Sequence, residues 1–555
     1  MATNTIIVNA TSSIQEDARP PIVSYTPTMW ADTFTSFSLD HQVQQKYAQE
    51  IETLKVEARS MLIMSKEKTT SERLVLIETL ERLGIAYHFH PEIEEQLEHI
   101  FKSYSSENTE EQNHDLFITS LQFRLLRQHR LCISCNVFDK FIGEEDKFKE
   151  SFSDDTKGLL SLYEAAHLRV HGEPILDEAV IFAKYHLKRR LVEQLDSSTL
   201  QEQVKRALKM PLHRGNRRID TRHYISVYEK DESKNNILLK LAKLDFNYLL
   251  NMYKDEICQV SRWWNELDMK SKFPYMRDRV VEAYLWGSSY NLEPQYGYVR
   301  MAVAKAIQVL TIFDDTYDNY ATVEEADLFT QIIERWNIEE IDQLPDYMKI
   351  IYRFTLSVFE DYERDAADQG KLFLVPYAIE AAYNKETKWI TRQEMPSFQE
   401  YIENSVIAGC LFSISSMTLP GVTSVTKETI DWLMTVPKIG VASSTVCRYL
   451  DDLSSFKRES KNGEYQTGVD HYMEQHGLSL EETKDKFIEL AEDEWKDLNT
   501  EWMNKTRVPK DMLEQILGYA RSSELFYRSC EDGFANAGVM AGHIVALFVD
   551  PIIIL

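Results

Sequence analysis

Met301-Ala-Val-Ala-Lys-Ala-Ile-Gln-Val-Leu-Thr-Ile-Phe313 runs directly into Asp314-Asp315-Thr316-Tyr317-Asp318. The first part is apolar almost all round, broken only by Lys305, Gln308 and Thr311. A helix of that kind is buried. Asp314 and Asp318 stand four apart, so they share one face of the helix. Clustered carboxylates at the end of a buried helix repel one another and sit near the negative pole of its dipole. A cation relieves that cost, and closely set carboxylate oxygens suit a hard one such as Mg²⁺. The competing reading is a solvated acidic patch following a core helix.

A second stripe lies in Arg448-Tyr-Leu-Asp451-Asp452-Leu-Ser-Ser455-Phe-Lys-Arg-Glu459. Asp451, Ser455 and Glu459 repeat at i, i+4, i+8, with Arg448 a turn earlier on nearly the same face. Two carboxylates and a hydroxyl can chelate a divalent ion, and the guanidinium offers a planar fork for a phosphate. Arg277-Asp278-Arg279, just ahead of the segment bearing Trp286, adds two arginines near a helix start. Taken singly, these stretches also fit surface ion pairs and charge runs. Together, two chelating stripes and placed arginines describe a diphosphate held through several Mg²⁺ ions. Among 28 Tyr, 25 Phe and 9 Trp, most are core, but a few lining a dry pocket would stabilise a carbocation, each by ~2 kcal/mol when desolvated.

The rest of the composition frames that site. The chain has 555 residues, 43% hydrophobic and 27% charged, which reads as a soluble globular protein with room for two domains. Only 18 Gly and 15 Pro interrupt it, which favours long helices and an all-α fold. The net charge of −27 argues against nucleic acid and against an anionic membrane surface as partners. Six scattered cysteines suit a reducing compartment. Cys132 and Cys135 form a CxxC without a second pair, which we read as two partly buried thiols on a helix. No stretch approaches the ~20 apolar residues that span a bilayer; the run from Ala546 to Leu555 is short and broken by Asp550 and Pro551. The first 18 residues carry no Lys or Arg but include Glu16 and Asp17, so neither a secretory signal nor an Arg-rich transit peptide is expected. The sequons at Asn9 and Asn504 then carry no weight.

Residues 1–30 read as a flexible arm containing Pro20, Pro21 and Pro27. Helical periodicity begins with Val43, Tyr47, Ile51 and Leu54 and recurs to about residue 227. The polar run from Glu229 to Asn236 marks a boundary between an N-terminal helical domain, 31–230, and a C-terminal domain, 237–555. The first half has no Asp-x-Asp-Asp motif, glycine-rich phosphate loop or His-Glu-x-x-His; its Asp154-Asp155 reads as a helix start.

The chain closely resembles plant class I terpene synthases, specifically the sesquiterpene synthases. The match includes Arg19-Pro20 upstream of Trp30, Phe123-Arg-Leu-Leu-Arg127, Leu159-Leu-Ser-Leu-Tyr-Glu164, Arg277-Asp-Arg279, Trp286, Glu293-Pro-Gln-Tyr296, the DDxxD at 314–318, the (N/D)DxxSxxxE at 451–459 and Asp532-Gly533. The resemblance implies an α-barrel-like, catalytically silent N-terminal domain and an active C-terminal helical bundle. It implies metal ligation by Asp314, Asp318, Asp451, Ser455 and Glu459 with Asp315 in support, three Mg²⁺ ions with Mn²⁺ as a substitute, and a grip on the diphosphate by Arg277, Arg279 and Arg448. Trp286, Tyr527, Asp532 and Phe534 would line the pocket. The chain departs from the family pattern in three places. Nine residues rather than eight separate Pro20 from Trp30, Phe534 stands where Tyr is often found, and Arg130 replaces a Gly.

The implied reaction is ionisation of farnesyl diphosphate by a cytosolic, monomeric enzyme, followed by cyclisation to a sesquiterpene. The stretch from Ser460 to Gly468 would close over the site and exclude water. Asp532, an acid in an apolar pocket held by the Tyr527 phenol, would relay a proton; capping of the turn at Gly533 is its alternative task. The rivals are a monoterpene synthase acting on geranyl diphosphate, a chain-elongating prenyltransferase, a metal-dependent phosphohydrolase and a non-catalytic helical scaffold. Ser455 counts against the prenyltransferase, which would need a second DDxxD, and the lack of His in either stripe counts against the phosphohydrolase.

Overall fold

The computed structural model describes residues 25–30, 32–104, 114–193, 197–376, 397–408, 410–459 and 467–554. Among these, the regular elements are helices, and the nearest approach to a sheet is one antiparallel bridge between Ile142 and Phe148. The helices begin where the sequence supplies caps. Thr69, Thr322 and Ser479 each share a reciprocal capping box with the glutamate three residues on. Asp155 does what its position suggested, accepting the Gly158 N–H at 2.8 Å at the head of Thr156–Ala166.

The polar run after Tyr228 is a turn between two helices. Asp231 accepts the Ser233 N–H at 2.8 Å, and Asn235 caps Asn236–Leu267 by accepting from Ile237 and Leu238. That long helix packs against His41–Met64, and the buried apolar side chains of both halves form one continuous core. A polar weld reinforces the junction. Arg214, almost fully buried, makes a two-pronged ion pair with Glu492, which Arg169 also reaches at 2.7 Å. Asn499 Oδ1 accepts from the His213 ring at 2.8 Å, and its Nδ2 donates to the carbonyls of His167 and Arg169. Burial alone would raise the Glu492 carboxyl; Arg214 outweighs it and holds the group well below the usual range.

The motif residues of the first half turn out to be structural. Arg127 is buried against Glu173 and donates to the carbonyls of Ile133 and Leu168, while Glu164 accepts the Leu212 N–H at 2.8 Å. Arg130 has φ of 63°, the left-handed region that glycine enters without penalty. Its guanidinium compensates by donating to the carbonyls of Trp502 (2.9 Å) and Asn504 (2.7 Å), a second clasp between the halves.

Two expectations need correction. Cys132 and Cys135 are not on an α-helix: Cys132 is exposed in the connection that follows Arg130, and Cys135 opens a 3₁₀ stretch. One segment, Phe398–Gly421, does reach the length and hydropathy of a membrane span. Its described apolar residues, including Ile402, Val406, Leu411, Ile414 and Leu419, are buried in the helical core, which accounts for their character.

In the C-terminal bundle, Gly297–Asn319 packs against Val280–Gly287 and Leu411–Thr418, and Lys438–Glu459 against Leu480–Met503 and Lys510–Tyr527. A Cβ on Gly287 would meet the Arg300 carbonyl at 2.9 Å, so glycine is what lets these first two helices approach so closely.

Replacing Arg214 by Met leaves the Glu492 charge in the junction with Arg169 alone, a change that costs up to about 3–5 kcal/mol for a buried pair. The thermal unfolding midpoint of Arg214→Met should fall by about 3–4 °C, since the unfolding entropy of a chain this long makes each kcal/mol worth only about 1 °C. Glu492→Leu in the same chain should restore much of the loss, as read by differential scanning fluorimetry.

Candidate active site

The site is built where the ends of two acidic helices meet. Gly297–Asn319 carries Asp314, Asp315 and Asp318; Lys438–Glu459 carries Asp451, Asp452, Ser455 and Glu459. The half-buried Asp318 carboxyl is pushed well above the usual range, first by burial and then by the charges of Asp314 and Glu459. Asp451 is raised to about 7 by burial, with Asp532 and Glu459 adding to the shift and Arg448 opposing it. Glu459 is raised too, chiefly by burial. The two stripes therefore face one another, and each makes the other's negative charge more costly.

In each stripe one aspartate faces the cleft and its neighbour is buried on an arginine. Asp315 is wholly buried. It accepts the Arg277 backbone N–H at 2.6 Å and Nε at 2.9 Å, while the exposed Asp314 pairs with the Arg277 terminal nitrogen. Asp452 repeats the pattern: it accepts from Arg448 Nη1 at 3.0 Å, from the Tyr401 phenol at 3.2 Å and from the Gly468 N–H at 3.0 Å. A Cβ on Gly468 would lie 2.3 Å from that carboxylate. Burial pushes both Asp315 and Asp452 up to about 6, against the pull of their arginines. Asp315, expected in support of the metal ligands, is turned onto Arg277 and orients it. Asp452, which sequence reasoning left without a task, orients Arg448. The signal was present in the paired Asp-Asp of both motifs, but the spacing alone does not say which member turns inward.

Arg279 also departs from expectation. It is buried at 1% exposure, and its guanidinium donates to the carbonyls of Asp278, Phe534, Ala535 and Thr26. It clasps the arm and the C-terminal turn behind Arg277 rather than reaching into the cleft. Residues 25–30 of the arm accordingly lie on the site: the Tyr25 ring is 5.3 Å from the Arg277 guanidinium, and its phenol oxygen accepts from Asn319 at 3.1 Å. Arg19 and Pro20 lie outside the described residues, as does most of the proposed lid, 460–466.

Asp532 is a turn cap. Its Oδ1 accepts from the N–H groups of Phe534 (2.9 Å) and Ala535 (2.8 Å), and Oδ2 accepts from Arg458 at 3.1 Å. Both carboxylate oxygens are thus engaged, and the geometry is that of the cap at Gly533, the alternative task, with Arg458 on the second oxygen instead of the Tyr527 phenol. Trp286, Tyr527 and Phe534 belong to one aromatic cluster. Trp286 lies 5.8 Å from Tyr527, 5.0 Å from Phe526 and 5.7 Å from Tyr519, and Phe526 is 6.3 Å from Phe534. The Tyr527 phenol is held well above its usual range by burial and by Asp451 and Asp532, so it is neutral.

Among the described residues, no three carboxylate, His or Cys side chains form a ready-made chelate. Carboxylates drawn from two helices nonetheless fit Mg²⁺, which is typically bound by one or two carboxylates with waters and substrate phosphates completing the shell. Ser455 Oγ donates to Glu459 at 3.0 Å, so the two would move toward an ion together.

This arrangement defines a diphosphate-binding class I helical bundle, and comparison with known proteins agrees. Residues 265–497 match the terpene synthase family metal-binding domain and residues 29–208 the terpene synthase N-terminal domain. The chain is 48% identical to gamma-cadinene synthase of Ocimum basilicum over 550 residues, covering 98% of this chain and 99% of that protein. It is 48% identical to tau-cadinol synthase of Lavandula angustifolia over 545 residues, 96% of this chain and 98% of that one. Isoprene synthase from grey poplar (Populus x canescens), solved in complex with three Mg²⁺ ions and dimethylallyl-S-thiolodiphosphate, superposes with a TM-score of 0.85 at 31% identity, covering 91% of this chain and 97% of that one. The chain belongs to the terpene synthase family.

If Asp452 positions Arg448, Asp452→Ala should leave helical content intact while weakening inorganic diphosphate binding in Mg²⁺ by about tenfold, the loss of one oriented charge-assisted contact. Isothermal titration measures it, and unchanged binding would remove Asp452 from the site.

Proposed function

We propose that this enzyme ionises farnesyl diphosphate in a Mg²⁺-dependent reaction and folds the resulting allylic cation into a sesquiterpene, releasing diphosphate. The observation that carries this reading is the convergence of the two acidic helices, where Glu459 repels Asp318, beside the braced Arg277 and Arg448, with the Phe534 ring 5.6 Å from the Arg277 guanidinium. The similarity to two sesquiterpene synthases supports the C15 substrate over geranyl diphosphate.

Asp314 and Asp318 on one helix, and Asp451, Ser455 and Glu459 on the other, would hold the metal ions. Bound there, Mg²⁺ supplies Lewis acidity at the diphosphate oxygens and a template for its position. Arg277 and Arg448, braced by Asp315 and Asp452, present donors toward the same oxygens. The dry aromatic wall faces the hydrocarbon, excludes water and attracts positive charge to its ring faces. With Asp532 tied to its turn and to Arg458, the departing diphosphate, held beside the cation, is the base we propose for the final proton.

Incubation with Mg²⁺ and either substrate, followed by gas chromatography–mass spectrometry, should show C15 products and a kcat/KM for farnesyl diphosphate at least tenfold above that for geranyl diphosphate, in keeping with the binding value of added methylenes. Faster turnover of the C10 substrate would overturn the assignment. Asp314→Ala should lower kcat by a factor on the order of 10³ without loss of fold. Ser455→Ala should cost far less, since water can replace a neutral ligand.

A further inference from the structure

Pro174–Val192 turns one stripe outward. Phe182, Ala183, His186 and Leu187 are buried, while Ile181, Lys184, Tyr185, Lys188 and Val192 share the opposite face. Ile181, Tyr185 and Val192 are 65%, 67% and 85% exposed. Apolar side chains standing that far into water, in register along one helix, mark an interaction surface. The lysines of the stripe differ from the arginines that follow. Arg189 and Arg190 are paired with Asp154 (2.7 Å) and Glu193 (3.0 Å). Lys184 lies beside Lys188 and Arg528: partial burial lowers its pKa, and these like charges lower it further against the pull of Glu492.

A complementary stripe starts from the same point of the fold. Lys496 meets Asp177 at 3.2 Å, and Arg169 joins Asp177 (2.9 Å) to Glu492 (2.7 Å), so Pro174–Val192 and Leu480–Met503 come together here. One and two turns back from Glu492, the second helix carries Ile488, Glu489 and Asp485 on the same side, all exposed. Glu489 pairs with Lys486 at 3.0 Å in a solvent-facing contact of the kind that contributes little. From one junction, then, the first helix presents apolar residues with cations and the second an apolar residue with anions.

We propose that this face pairs with a second copy of the chain about a two-fold axis: Ile181 and Tyr185 of each copy pack on Ile488 of the other, and Lys184 and Lys188 answer Asp485 and Glu489. A two-fold interface sets one patch against itself. It therefore needs both signs of charge and both sides of the apolar contact on a single surface, and this surface supplies them. The net charge of −27 repels a second copy at long range; here local opposite charges and apolar burial outweigh it. An anionic membrane would take the two lysines but would be repelled by Asp485 and Glu489. The dimer replaces the monomer that the family resemblance implied.

Sedimentation velocity of the full chain from about 1 to 100 μM, a range suited to a weak interface, should show a monomer–dimer equilibrium. Lys184→Glu with Lys188→Glu should raise the dissociation constant by about tenfold or more, and Asp485→Lys with Glu489→Lys should do the same, since like charges then meet. All four changes in one chain restore opposite pairing and should return the dissociation constant to within about threefold of the original. Tyr185→Ser, which alters no charge, should weaken the dimer as well. Every variant should keep the thermal unfolding midpoint and the turnover of the unsubstituted enzyme, because none of these side chains touches the cleft. A chain that stays monomeric across this range overturns the proposal, whether the stripe then serves another protein or a membrane. A dimer insensitive to these changes, or one that the four combined changes fail to restore, overturns it equally.

Discussion

The organising constraint is the convergence of carboxylates from two helices into one half-buried space. Asp314, Asp318, Asp451 and Glu459 are brought close enough that burial and mutual repulsion push three of them upward in pKa. Folding alone does not make such a cluster favourable. The protein holds it together with the apolar packing of the helices that carry it and with guanidinium groups at its edges, and leaves the remainder of the charge for cations to balance.

Those guanidinium groups are themselves held in a hierarchy. Asp315 fixes Arg277 and Asp452 fixes Arg448, so each donor that faces the cleft is backed by an inward-turned acid from the same motif as the metal ligands. Arg279 ties the arm and the C-terminal turn to the irregular segment that bears Arg277. The pattern places preorganised positive charge beside the metal positions before substrate arrives, which is where electrostatic catalysis is most effective. The N-terminal half contributes no acid motif of its own; through Arg214, Arg130 and Asn499 it buttresses the bundle from behind.

The all-helical class, the helix start at Asp155 and the placing of the two acidic stripes on helices were legible in the sequence. Each depends on local spacing: side chains four apart share a helix face whatever the helix packs against. The same logic gave the largely buried character of 301–313.

What tertiary structure alone decided is which polar group meets which. Spacing cannot tell that Asp315 and Asp452 turn inward while Asp314 and Asp451 face the cleft, because that depends on where Arg277 and Arg448 arrive from elsewhere in the chain. It cannot tell that Arg279 spends its donors on carbonyls of Thr26, Phe534 and Ala535, or that Arg458 stands between Glu459 and Asp532. The apolar run at 398–421 carries the same lesson: length and hydropathy do not separate a membrane span from a core helix, and only the packing of Ile402, Leu411 and Ile414 in the bundle does. Sequence periodicity determines the face a residue occupies; the charge it answers to is set by contacts hundreds of residues away.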